Sequence, residues 1–220
     1  MAIIFNIDTA VETASICLAR DSRPIKFAEN RNQTDHAAWL HPALQKLAAD
    51  AGIGIYEIDA IAISIGPGSY TGLRVGLAAA KGLCFALDIP LISVNTLKMM
   101  AYATMEESAD LYCPLIDARR MEVFTAVYDR NFTEIIEQKA MIIDSNSFDS
   151  ILSSNKVLFS GNGSNKVRKL ISHPNALFSN LQANASNMVE ISDQYYREKK
   201  FSDIAYVEPS YIKEFYSVAR

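Results

Sequence analysis

The sequence predicts an α/β protein of two related lobes, each a mixed sheet with flanking helices. Three observations predict it. The first hundred residues read as three β runs followed by helix, strand, helix and strand. After residue 110 a similar order starts again, with a β run ending in Asp, a polar turn, a returning β run, a further strand and a pair of glycines. Half of the 220 residues are hydrophobic and 21% are charged, the composition of a globular chain long enough to bury a sizeable core.

Residues 2–7 are a short apolar run ending in Asp8-Thr9, and residues 14–19 and 24–28 are the second and third β runs. The first two are joined by a turn rich in acid and hydroxyl, DTAVETAS, where Thr9, Thr13 and Ser15 offer hydrogen bonds. A polar hairpin tip of this kind is common in its own right. Thr34 or Asp35 can cap a helix that ends at Gly52, with Ala38, Leu40, Ala43, Leu44, Leu47 and Ala48 on its apolar face. Pro42 lies inside that helix and predicts a kink. His36 and His41 are five apart, which turns them away from each other on a helix, and they read as surface residues.

Residues 58–65 form the next strand, broken at Gly66-Pro67-Gly68-Ser69. A helix follows from Tyr70 or Thr71 to about Leu87. Strand, Gly-rich turn and helix in that order can aim backbone N–H groups at an anion, although a tight β–α connection has the same signature. The helix is apolar nearly all round. Leu73, Leu77, Ala80, Cys84 and Leu87 share one face; Val75, Ala78, Ala79, Gly82 and Ala86 lie largely opposite; Arg74 and Lys81 are its polar stripe. A helix of this type is covered on two sides, one by its own sheet and one by another helix. Gly72, Gly76 and Ala80 recur every four residues and permit close backbone approach, at roughly 1 kcal/mol of helix propensity per glycine. Residues 90–94 are the last strand of this half and residues 95–104 start a further helix.

The second half runs from a strand at 111–116 through Asp117-Ala118-Arg119-Arg120 to a returning strand at 122–128. Further strands are expected near 138–143, 157–159 and 177–181, and short helices at 148–152 and 167–171. A helix at 185–199 turns Met188, Val189, Ile191 and Tyr195 inward, and residues 207–216 form an extended, Pro-containing tail. The domain division expected from this order is 1–101 and 102–220. A net charge of −4 argues against an autonomous nucleic-acid binder, whose phosphate contacts need concentrated Lys and Arg. Cys17, Cys84 and Cys113 are scattered in apolar runs and read as reduced core thiols. The first residues lack a basic n-region, and no apolar stretch of spanning length is free of Gly or charge, so neither a signal peptide nor a membrane span is expected. A cytoplasmic location follows as an expectation.

Three antiparallel strands followed by α/β crossovers are the plan of one lobe of the actin-like, ribonuclease-H-like (ASKHA) fold. In sugar kinases, actins and chaperone ATPases the first hairpin carries an Asp at the place of Asp8. A closer resemblance rests on the stretches GPGSYTGLRVGLAAAKGL, IDTAVETASICLA, DARRMEVFTAVYD, SGNGSNKV and PSYIKEFY. Together they cover nearly the whole chain in the right order, and on them it is identified as a member of the TsaB family, also called YeaZ. That family serves the formation of threonylcarbamoyladenosine at position thirty-seven of tRNAs that read ANN codons. It is related to TsaD, the subunit that transfers the threonylcarbamoyl group.

The resemblance implies a scaffold or activator with no catalytic residue and no metal. It implies a heterodimer with TsaD through the two N-terminal helices, a complex with the ATPase TsaE, a homodimer when alone, and contact with tRNA only through the complex. The expected interface comprises Leu40, Ala43, Leu44, Leu47, Leu73, Arg74, Leu77, Ala80 and Lys81. No cofactor is expected to bind tightly, with ATP or ADP admitted at a shared subunit interface. In TsaD the helix after the last strand of the first half begins with a metal-binding HHMEGH stretch. Here the matching residues are Asn95, Thr96, Leu97, Lys98, Met99 and Met100, whose Thr and Met are poor ligands for a hard cation and whose Lys repels one. Asp8, Thr9, Gly66, Gly68, Ser69, Thr71, Gly161 and Gly163 are the candidate remnant of a phosphate or nucleotide site. The alternative function is an ASKHA-type ATPase or small-molecule kinase using Asp8 and the loop from Gly66 to Thr71. No GxSxG elbow or HExxH stretch supports a peptidase.

Overall fold

The computed structural model describes residues 1–32 and 35–213. The first half contains β1 (Ile3–Asp8), β2 (Ala14–Arg20), β3 (Arg23–Asn30), α1 (His36–Asp50), β4 (Ala60–Ser64), α2 (Tyr70–Leu87), β5 (Leu91–Val94) and α3 (Thr96–Tyr102). The second contains β6 (Leu111–Asp117), β7 (Glu122–Tyr128), β8 (Glu134–Ile142), α4 (Asp149–Leu152), β9 (Val157–Ser160), α5 (Ser164–Leu170), β10 (Ala176–Phe178), and a 3₁₀ turn at Ala185–Met188 that runs into α6 (Val189–Arg197). The sheets have the orders β3-β2-β1-β4-β5 and β8-β7-β6-β9-β10. In each, the first three strands are antiparallel and the last two join in parallel. The repetition read in the sequence is therefore a repetition of topology, and the fold is the actin-like one expected.

β1, β2 and β4 are nearly continuously apolar because both faces of the sheet are covered. Phe5, Ile7, Ile16, Leu18, Ile61 and Ile63 turn outward under α1 and α2. Ile4, Cys17, Ala19, Ala60 and Ala62 turn inward, to a core shared with the second sheet. The edge strands β3 and β8 alternate half-buried with exposed positions, as edges with one wet face do. β8 begins at Glu134, four residues before the expected start.

The last helix of each half crosses to the other sheet. α3 packs on β6 and β7, and α6 packs on β1, β3 and β5. The residues from 185 onward thus lie largely against the first sheet, although the division at 101/102 would assign them to the second lobe. Buried polar groups tie the layers together: Ser192 Oγ donates to Asn6 Oδ1 at 2.6 Å, and Ala185 N–H donates to Ser15 Oγ at 2.9 Å.

Local signals hold at most boundaries. Ser69 caps α2, its Oγ accepting from Gly72 N–H, and Gly52 closes α1 at φ 65°. α1 continues through Pro42 to Asp50. Asp35 stands at its N-cap position without a side-chain cap, and Thr34 lies outside the described residues, as do the last residues of the tail, 214–216. His41 is exposed, but His36 is buried and neither ring nitrogen has a partner among the described residues. Helical spacing separated the two histidines correctly; it could not show that His36 turns inward. The three cysteines are free and buried, with burial pushing the Cys17 and Cys113 thiols up to about 12.

Candidate functional site: a helical face and an interlobe cleft

Two regions collect the residues singled out in the sequence. The first is the pair α1 and α2. Leu40, Leu44, Leu47, Leu77 and Ala80 belong to the core these helices form with β1, β2 and β4. Leu73 is 1% exposed, its methyl against the turn at Gly66. These six cannot present a surface to a partner, and that part of the expected interface is corrected. The physical reason is that a helix apolar all round does not announce which side its own sheet takes, and the sheet took the leucines. Ala43 and Lys81 are half-buried and Arg74 is exposed. The opposite side of α2 faces solvent through Thr71, Arg74, Ala78, Gly82, Phe85 and Ala86, with Val75 half-buried. Phe85 is 83% exposed. A stripe with an open phenyl ring among Ala, Gly and Val is the kind of apolar surface that marks an interaction face.

The glycines of α2 approach this chain's own hairpin. A Cβ on Gly72 would lie 2.0 Å from the Thr9 carbonyl oxygen, and one on Gly76 would lie 2.1 Å from Thr9 Oγ1. One on Gly68 would lie 2.3 Å from the Ala10 carbonyl oxygen. Ser69 N–H donates to that same carbonyl at 2.7 Å, and Thr9 Oγ1 donates to the Gly72 carbonyl at 2.8 Å. The turn from Gly66 is likewise engaged: Gly66 N–H donates to Thr96 Oγ1, and its carbonyl accepts from Thr96 N–H. The Gly66 and Ser69 N–H groups are thus engaged by α3 and by the tip of the β1–β2 hairpin.

Asp8 is sealed beneath this packing. Ser64 Oγ donates to its Oδ1 at 2.5 Å and Ala10 N–H at 3.0 Å, while Oδ2 is buried without a partner among the described residues. Burial raises its pKa to about 6, against the pull of the Ser64 and Ala10 hydrogen bonds. The Asp8 carboxylate is thus fully enclosed and does not open onto the interlobe cleft.

The second region is a cavity of about 760 Å³ between the two hairpins. Val11, Glu12 and Thr13 line it from the first hairpin, Asp117, Arg119 and Arg120 from the β6–β7 hairpin, and Gly161, Asn162 and Lys166 from the loop and helix after β9. Asp8, Thr9, Gly66, Gly68, Ser69 and Thr71 do not line it, nor does Gly163. Asn162 spans the cleft, accepting from Asp117 N–H at 2.8 Å and donating to Glu12 Oε1 at 3.4 Å. Lys166 Nζ lies 2.6 Å from Asp117 Oδ1 and 2.9 Å from the Glu122 carbonyl. Burial opposes ionisation of Asp117, but Lys166 and the Arg119 N–H outweigh it and hold its carboxyl below the usual range. Arg119 and Arg120 take φ of 68° and 47°, unusual for residues with a Cβ. Gly161, at φ 82°, lies so close to β6 that a Cβ would sit 2.4 Å from the Leu115 carbonyl oxygen. Sequence reasoning placed Gly161 and Gly163 among the candidate site residues but gave no site role to Glu12, Arg119, Arg120, Asn162 and Lys166, although each lies in a stretch that carries the family resemblance. The available signal was the second Asp-turn pattern, which repeats the first.

The stretch at the start of α3 is engaged in the fold at each position. Asn95 caps the helix, accepting from Lys98 N–H; Thr96 holds Gly66; Leu97, Met99 and Met100 enter the inter-sheet core; and Lys98 Nζ donates to Tyr195 OH at 3.4 Å.

A family model described as TsaD, tRNA N6-adenosine threonylcarbamoyltransferase, matches residues 30–217. The chain is 34% identical over 134 residues to the tRNA threonylcarbamoyladenosine biosynthesis protein TsaB of Haemophilus influenzae, covering 60% of this chain and 53% of that protein. It is 30% identical over 174 residues to the TsaB of Buchnera aphidicola subsp. Baizongia pistaciae, covering 76% and 78%. It spans about half the length of the first curated relatives it matches. Among solved structures, a Pseudomonas aeruginosa protein described as similar to the peptidase YEAZ aligns with TM-score 0.86 at 24% identity, over 97% of this chain and 100% of that one. At that identity the likeness is one of fold.

Proposed function

The chain belongs to the TsaB/YeaZ family, related to the TsaD threonylcarbamoyltransferases, and from that premise we propose that it is a non-catalytic subunit in the formation of threonylcarbamoyladenosine at position thirty-seven of tRNA. In this reading it docks on TsaD, recruits the ATPase TsaE to the pair, and meets tRNA through the assembled complex. The observation that carries it is the solvent side of α2, where Phe85 stands open among small residues. Small side chains let a second helix approach closely, and Phe85 is the anchor that such an approach would bury. Ala43 of α1 and Arg74 and Lys81 of α2 remain within the interface as proposed; the six buried residues are replaced by the positions around Val75, Ala78, Gly82 and Phe85. A docking area on the order of 800 Å² per partner is the size expected of a specific complex. Without TsaD the same face is self-complementary in a two-fold dimer.

Support for a non-catalytic role comes from what the chain has done with its site positions. Asp8 is buried under α2, the Gly-rich loop binds the first hairpin, and the start of α3 caps and packs. Any ATP or ADP would then belong to the boundary with a partner subunit.

The test is reconstitution. With TsaD, TsaE and the carbamoyl-adenylate synthase present, omission of this chain abolishes tRNA modification. Phe85→Asp lowers affinity for TsaD at least tenfold and leaves the melting temperature of the isolated chain unchanged. A Phe85→Asp protein that still co-elutes with TsaD and supports full modification overturns the placement of the face. Modification that proceeds without the chain overturns the role.

A further inference from the structure

The residues after α6 return to the first sheet and then reach back to the second. Ser202 forms a bridge with Leu91 on the open edge of β5, its N–H donating to the Leu91 carbonyl at 2.8 Å and its Oγ to Ser93 Oγ at 2.7 Å. An edge strand covered in this way is no longer a template for pairing. Ile204 and Val207 pack against the core beneath α1 and α2. Ser210 N–H donates to the Ile65 carbonyl at 2.7 Å, and a Cβ on Gly66 would lie 2.8 Å from the Ser210 carbonyl oxygen. Gly66 is therefore required by the tail: only glycine leaves room for it, and its φ of 115° is one that glycine tolerates.

From Ser210 the contacts divide between the lobes. Toward the first, Arg74 Nε donates to Tyr211 OH at 2.9 Å, its guanidinium carbon lies 3.8 Å from the Tyr70 ring centroid, and the Tyr70 and Tyr211 centroids are 5.4 Å apart. Toward the second, Gln138 of β8 donates to Ser210 Oγ at 3.3 Å and accepts from Asn95, the cap of α3, at 2.6 Å. Lys213 pairs with Glu122 of β7. A cation stacked between aromatic rings is a favourable and directional contact. A single extended segment thus holds the solvent end of α2, the turn after β4 and the β7–β8 hairpin at once.

We propose that residues 202–213 form a clasp between the lobes, which sets the position of the β7–β8 hairpin relative to the N-terminal end of α2. The clasp makes the solvent face of α2 mechanically continuous with the wall of the interlobe cleft, since Glu122 follows the hairpin tip that carries Arg119 and Arg120. Its bearing on TsaD rests on the docking face proposed above; the clasp itself is tested on the isolated chain, so the two readings fail separately.

The experiment is amide hydrogen exchange on the full-length protein, which reports local opening segment by segment. Gln138→Ala, a change in the second lobe, raises exchange of Ser210 N–H on the first about fivefold. Tyr211→Ala, a change on the first lobe, raises exchange across residues 134–142 by a similar factor. Tyr211→Phe, which keeps the ring against Tyr70 and loses the bond from Arg74, gives a smaller rise in the same segment. Amides of β1 keep their wild-type rates in all three. The clasp is overturned if each substitution affects only its own lobe, or if β1 opens to the same extent, which would mean that the whole fold had weakened.

Discussion

The β1–β2 and β6–β7 hairpins occupy equivalent places in two sheets of one topology, and each ends its first strand in Asp. Their fates are opposite. Asp8 is sealed, with one oxygen unpartnered and its pKa raised to about 6 chiefly by burial. Asp117 is open to a cavity and, despite some burial, held below the usual range by Lys166 and a backbone N–H. The difference lies in the helix that follows the fourth strand. Gly68 before α2 and Gly72 and Gly76 within it come down on the first hairpin; α5 starts behind Gly161, Asn162 and Gly163 and leaves a gap that the Asn162 and Lys166 side chains bridge to the second hairpin. An Asp at a hairpin tip is thus a position offered by the fold, and the glycines of the next helix decide whether it becomes a site or part of the interior.

The strongest way to break this comparison is to force α2 off the hairpin. Gly72→Ala puts a methyl 2.0 Å from the Thr9 carbonyl oxygen, which only a backbone shift can relieve, so it costs about 3 kcal/mol or more, the upper end of overpacking. Gly82 has nothing within 4 Å of a Cβ, and Gly82→Ala stabilises by up to about 1 kcal/mol through helix propensity. Urea denaturation of the pair separates close approach from the general cost of glycine in a helix. Equal and small effects would mean that α2 does not seal the hairpin.

A smaller effect sharpens the electrostatic half. Asp8 has a folded pKa near 6 against 3.8 in the unfolded chain. The folded state holds its proton more tightly, so the penalty is absent below pH 4, grows as pH rises from 4 to 6, and is complete above that. About two pKa units correspond to about 3 kcal/mol. Asp8→Asn keeps the oxygen that accepts from Ser64 and Ala10, and so raises stability at pH 8 by up to that amount while leaving it unchanged at pH 4. Denaturation at the two pH values checks the sign. A loss of stability at pH 8 would show that the carboxylate has a partner and that Asp8 is not a buried remnant.

Much of this arrangement was legible from local chemistry. The Gly-Pro-Gly-Ser break, the Ser69 cap, the Gly52 stop and the twice-used strand order all act within a few residues, and a sequence displays them directly. What it did not display depends on distant partners. Leu40 and Leu77 looked as available to a partner as Val75 and Ala78, because the same helical period serves either side and the sheet's choice is made elsewhere. Gly72 and Gly76 announced a close approach without naming Thr9, more than sixty residues earlier, as the group approached. Lys166 lay in the SGNGSNKV stretch without a role assigned to it, and its pairing with Asp117 follows from the parallel register of β6 and β9. Tyr211 meets Arg74 across 137 positions, a distance over which no pattern in the tail points to its partner.

The smallest of these effects is at Asp117, and it runs opposite in pH to the first hairpin. Its carboxylate is stabilised in the fold, so its contribution is present above about pH 4 and is lost as pH falls through the lowered folded value. The group is 40% exposed, and solvent screening holds the pair with Lys166 to about 1 kcal/mol or less. Asp117→Asn should therefore cost that much at pH 7 and progressively less as pH falls through the lowered folded value, whereas Asp8→Asn gains stability at high pH and is silent in acid, so the two effects have opposite sign and both shrink toward acid. Because Lys166 loses its counter-charge and keeps only the Glu122 carbonyl, the variant also adds a net positive charge to a cavity already lined by Arg119 and Arg120, readable as a rise in salt sensitivity of the melting temperature. A variant whose stability and salt response match wild type at pH 7 would mean that the second hairpin is as indifferent to its carboxylate as a plain surface turn, and the contrast with Asp8 would rest on burial alone.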